Sequence, residues 1–203
     1  MSTESATYIR HPLGLPPGSI RSILALITSG LFVLLVLLPA SRPVEIPLFL
    51  YFLMSLLLVF VVSHGKTIGI EGERHPFGMP KGTIRFLIAA GVVAALAWRF
   101  WSDRELFVKR LTPSVQQLEQ WPWLFLALLG GFALGRLLAA GPWRYRPMFQ
   151  DILAWVSLIC MIGLVVEILA IVFIRPTLPA GLDLNALENT LTMAIALYFG
   201  ARS

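Results

Sequence analysis

The sequence contains little charge, few histidines and almost no cysteine. Among its 203 residues, 13% are charged, three are histidine and only Cys160 is cysteine. A single cysteine excludes an intramolecular disulfide, a Cys-x-x-Cys pair and a cysteine-based zinc site. Because soluble domains carry about 25% charged residues, the composition also excludes an ordinary soluble enzyme.

Hydrophobic residues make up 57% of the chain, and its mean hydropathy is +0.79. A helix needs about 20 predominantly apolar residues to cross the hydrocarbon core of a bilayer. This content is enough for five or six crossings and leaves little for a separate soluble core. We therefore predict an all-α, polytopic integral membrane protein whose single transmembrane domain covers residues 1–203.

Six apolar segments, separated by turn-forming residues, are the candidates for these crossings. The sixth segment carries Asn185, Glu188 and Asn189, so either five or six transmembrane helices are expected. The predicted segments are approximately 20–38, 46–63, 84–101, 123–140, 152–174 and 184–200.

The basic residues predict the orientation of the chain. If all six segments cross, ten of the 16 Lys and Arg residues lie on the same side as the N-terminus. Cytoplasmic loops are enriched in Lys and Arg, so we expect a cytoplasmic N-terminus. The net charge of +5 is then explained by these loops and by contact with anionic lipid. No basic run is interleaved with aromatic residues for base stacking, so nucleic acid is not an expected partner.

A repeat occurs before the first and third segments. Residues 10–21 read RHPLGLPPGSIR and residues 74–85 read RHPFGMPKGTIR, with eight of twelve positions identical. Two crossings separate the copies, so the pattern predicts a parallel internal duplication of a two-helix unit. The units are residues 10–66 and 74–140, with a degenerate third unit over 146–203. The repeated pattern is similar to those of bacterial membrane proteins, so the inner membrane of a bacterium is the expected location.

The composition of the repeat predicts a rigid loop before each helix. Its prolines and glycines keep the chain out of helical geometry, and Gly18 and Gly82 permit a sharp turn. The hydroxyls of Ser19 and Thr83 are then expected to cap the free amides at the start of the following helix.

The arginines of the repeat suggest a negatively charged partner. Arg21 and Arg85 fall in the first helical turn, where positive charge opposes the helix dipole. A lipid phosphate or the carboxylate of a neighbouring subunit would offset that cost; the alternative is the general excess of basic residues on the cytoplasmic side. Parallel repeats place equivalent residues apart, so His11 and His75 are not expected to meet in a metal site. No other cofactor is expected either. The residues expected to contact anionic lipid or a partner are Arg10, His11, Arg21, Arg74, His75 and Arg85.

Polar residues inside the predicted membrane segments form a second candidate site. Seven residues separate Glu167 from Arg175, so Glu167 lies about 10 Å inside the fifth helix, where contact with lipid would be costly. On the sixth segment, three-and-four spacing predicts one polar face that includes Thr192. Such a cluster either joins helices or subunits, or lines an ion or proton path. The predicted cluster comprises Arg99, Glu167, Glu188 and Asn189.

Two pairs of small residues are typical of close helix packing. Gly131 and Gly135 form a GxxxG pair in the fourth segment, and Gly91 and Ala95 form a small-xxx-small pair in the third. The sequence does not indicate whether the helices that pack against them belong to the same chain.

The longest hydrophilic connection lies between the third and fourth segments. Thr112 is expected to cap a short surface helix with Pro113 in its first turn; the alternative is a solvated loop.

No catalytic motif occurs in the sequence: there is no nucleophile elbow, phosphate-binding loop or HExxH. An enzyme is therefore not expected. We predict a non-catalytic structural or scaffold subunit of a homo-oligomeric or larger membrane complex. The alternative is a small ion channel or transporter with a polar path near Glu167 and Glu188.

Overall fold

The computed structural model describes residues 13, 15, 19–41, 44–63, 82–141, 147–173 and 185–202. This part of the chain forms seven helices and no strands, in agreement with the predicted all-α class. The helices are α1 (Ser19–Leu37), α2 (Leu48–Ser63), α3 (Thr83–Ser102), α4 (Arg104–Leu111), α5 (Val115–Ala140), α6 (Pro147–Phe173) and α7 (Asn185–Arg202).

Four helical segments are long and apolar enough to cross a membrane. They are Ser19–Leu37, Thr83–Ser102, Gln117–Ala140 and Met148–Phe173. In α2, the shorter stretch Leu48–Leu58 is apolar, whereas α7 is not among the four. The difference follows from composition, because polar residues occupy the first turns of α7.

Contacts between helices show that α1, α3 and α6 run in the same direction. The Leu13 amide, just before α1, donates a hydrogen bond of 2.7 Å to Asp151 in the second turn of α6. Further along, the Thr28 hydroxyl lies 4.0 Å from the Met161 sulfur. The start of α3 packs beside the first half of α1 in a small apolar cluster. Its members are Ala25, Leu57, Ile84 and Ile88.

Helices α2 and α5 run in the opposite direction to α1. The Gln117 side chain, in the first turn of α5, donates to the carbonyl of Ile46, just before α2, at 3.3 Å. The rings of Phe52 and Phe125, further along the same two helices, lie 6.3 Å apart. We call the end of the bundle at which α1 and α3 end, and α2 and α5 begin, the α4 end.

Helix α7 lies parallel to α5 at very short distance. A Cβ atom placed on Gly131 would collide with the Met193 carbonyl, and one on Gly135 with the Leu197 carbonyl. The Gly135 Cβ would also lie 2.7 Å from the amide nitrogen of Ala201. Small residues on α5 therefore allow the two backbones to touch, as in other close helix pairs.

The main hydrophobic core lies between α1, α2, α6 and α7. Its most buried large side chains include Leu24, Phe49, Met161 and Ile195. Helix α3 contributes little to it, because only Ile84, Ile88 and Ala95 of α3 are buried.

The helix boundaries agree with the predicted segments to within two residues for α1, α2, α3 and α7. The prediction that Thr112 caps the start of a short helix in the hydrophilic connection was wrong. A short helix, α4, begins earlier, at Arg104. Asp103 caps it by accepting a 3.0 Å hydrogen bond from the Leu106 amide. Thr112 instead ends α4, and α5 begins at Val115 and continues through Pro122.

The predicted hydroxyl caps are also absent from the described residues. The residue before α3 is Gly82, in the left-handed conformation with φ of 86°, and no side chain caps the helix. The helix begins one residue earlier than expected because the Gly82 carbonyl already accepts the Phe86 amide at 2.8 Å. The Ser19 hydroxyl is buried without a hydrogen-bond partner in the described part of the chain.

The neighbouring glycines 130 and 131 provide a test of the contact between α5 and α7. Gly131→Ala is expected to destabilise the protein by about 2 kcal/mol, because its methyl group would collide with the α7 backbone. Gly130→Ala is the matched control, since its Cβ would meet no atom within 4 Å, and should leave stability unchanged or raise it slightly. Thermal unfolding in mild detergent measures both, and equal melting temperatures would contradict the described contact.

Candidate functional site

Glu167 is the most buried acidic side chain among the described residues, with 6% of its surface exposed. It lies on α6, one turn beyond Gly163, where an added Cβ atom would lie 3.3 Å from the Leu191 side chain of α7. Because α6 and α7 run in opposite directions, Glu167 lies at the level of the first turns of α7, which contain Glu188. Glu167 and Glu188 both take part in hydrogen-bonding or electrostatic interactions.

Four polar residues of α7 lie on the side of the helix that faces the bundle, whereas Thr190 is exposed. Asn185, Glu188 and Asn189 are partly buried, and Thr192 is completely buried. The Thr192 hydroxyl has no hydrogen-bond partner among the described residues. A polar strip therefore runs along the interface of α7 with its neighbours.

Arg99 lies elsewhere, in the last turn of α3. Helix α3 packs against α1 and α4, and the charge of Arg99 acts on Arg110 in α4. The structure thus brings Glu167 and Glu188 to one level of the α6–α7 interface, while Arg99 lies at the end of α3 that packs against α4.

The sequence reasoning did not identify Arg110, which joins α4 to the end of α1. Its guanidinium is buried and donates four hydrogen bonds to backbone carbonyls. The acceptors are Leu35 at 2.9 Å, Val36 at 3.3 Å, Leu38 at 2.6 Å and Pro39 at 2.8 Å. The last carbonyls of a helix have no intrahelical donors. This one side chain supplies a donor to two carbonyls in the last turn of α1 and to those of the two residues that follow Leu37.

The surroundings of Arg110 affect its charge. Burial lowers the pKa of Arg110, and the nearby positive charge of Arg99 lowers it further, whereas Asp103 opposes the shift. The Tyr51 hydroxyl lies 3.3 Å from the carbonyls of both Arg110 and Leu111 and donates to them. The contact therefore links α1, α2 and α4 at one end of the bundle.

A signal for this contact was present in the sequence. Pro39 ends the first apolar segment and leaves helical carbonyls without donors in an apolar setting. Such carbonyls need donors from the backbone, from side chains or from water, and the side chain that donates to them here is 71 positions away from Pro39.

The two pairs of small residues have different surroundings. Gly131 and Gly135 are buried against α7 of the same chain. In α3, Ala95 is buried, whereas Gly91 is exposed and no atom lies within 4 Å of its Cβ position.

Only part of the repeated loops falls within the described residues. Arg21 and Arg85 are partly buried in the first turns of α1 and α3, and Arg21 takes part in a further interaction. Arg10, His11, Arg74 and His75, together with the start of the third unit at residue 146, lie outside the described residues. In the part of the chain that the structure describes, no three His, Cys, Asp or Glu side chains are grouped closely enough for a metal ion.

Comparison of the chain with protein-family models, with curated proteins and with solved structures finds no match. The class of protein follows from the architecture. An all-helical structure with four helices long and apolar enough to span a bilayer is that of an integral membrane protein.

Replacing Arg110 tests the contact at the end of α1. Arg110→Met is expected to destabilise the protein by about 3 kcal/mol, because the carbonyls of α1 lose their charged donor. Lys109→Met is the matched control, since Lys109 is exposed on the same helix, and should change stability little. Unfolding midpoints in detergent measure the difference, and a stable Arg110→Met variant would refute this role.

Proposed function

We propose that this protein is a non-catalytic structural or scaffold subunit that assembles with further copies of itself, or into a larger complex, in a membrane. The observation that carries the proposal is the exposed face of α3. In its apolar window, only 17% of the residues are buried, compared with 50% in α1.

Small residues form much of that exposed face. Ala90, Gly91, Ala94 and Ala97 are all exposed on α3. Small residues let another helix approach closely, and membrane helices associate mainly through such packing, because lipid provides no hydrophobic driving force. Helix α5 is also largely exposed, with 22% of its window buried, but its Gly131 and Gly135 pair is already covered by α7. The small residues of α3 are open to a second copy of the chain.

The proposed arrangement in the membrane has six crossings, by α1, α2, α3, α5, α6 and α7. The common direction of α1 and α3 supports a parallel duplication of the two-helix unit. The excess of basic residues supports a cytoplasmic N-terminus in the inner membrane of a bacterium. Arg21 and Arg85, at the end of the bundle opposite α4, are then positioned for anionic lipid.

A second candidate function is that of a small ion channel or transporter. It is supported by the burial of Glu167 and Thr192 at the α6–α7 interface, since ionisable residues inside a membrane often mark ion or proton paths. Ion flux into liposomes distinguishes the two functions. Liposomes that contain a scaffold protein are expected to remain impermeable to ions, whereas a channel or transporter would let ions enter.

A bulky residue on α3 tests the assembly. Gly91→Leu is expected to raise the dissociation constant of the oligomer about tenfold, because the leucine side chain prevents a second helix from approaching closely. Gly30→Leu on α1 is the matched control, since its Cβ position also has no atom within 4 Å, and should assemble normally. Native mass in mild detergent is the readout, and a wild-type protein that is monomeric at every concentration would contradict the proposal.

A further inference from the structure

We draw no further inference here: the strongest candidate, the polar cluster of Glu167, Glu188, Asn189 and Thr192 between α6 and α7, belongs to the site already described and already supports the second candidate function.

Discussion

The backbone contact between α5 and α7 is the constraint on which the rest of the bundle depends. Helix α7 has too many polar residues in its first turns to stand alone as a membrane-spanning segment, and a lipid-facing position for them would be costly. Its contact with Gly131 and Gly135 covers one side of the helix, and α6 covers another. With α7 in this position, Thr192 and Ile195 become part of the interior.

A second requirement is met at the α4 end, where a helix terminus needs donors for its carbonyls. Arg110 provides them for α1, and Tyr51 connects the same region to α2. Helix α4 thus has a structural role as the short element that carries Arg110 to this position. Helix α3 is attached mainly to α1 and α4 and leaves most of its surface exposed, which is why the proposed contact with a second copy involves α3.

The sequence was sufficient to predict the helices but not most of the contacts between them. Apolar runs that end at residues such as Pro39 give helix positions directly, and α1, α2, α3 and α7 lie within two residues of their predicted bounds. Local capping was less predictable, because Asp103 and Thr112 are both good N-caps and only the structure shows which begins a helix. The partner of Arg110 depends on how distant segments pack, and no local pattern encodes that.

The direction of α7 tests the account most directly. Single cysteines are introduced in a Cys160→Ala background, one as Glu45→Cys before α2 and one as Arg202→Cys at the last residue of α7. A membrane-impermeant maleimide is then applied to intact cells and to inverted vesicles. If α7 crosses the membrane parallel to α5, the two cysteines will be labelled from opposite sides. Labelling of both from the same side would contradict the account.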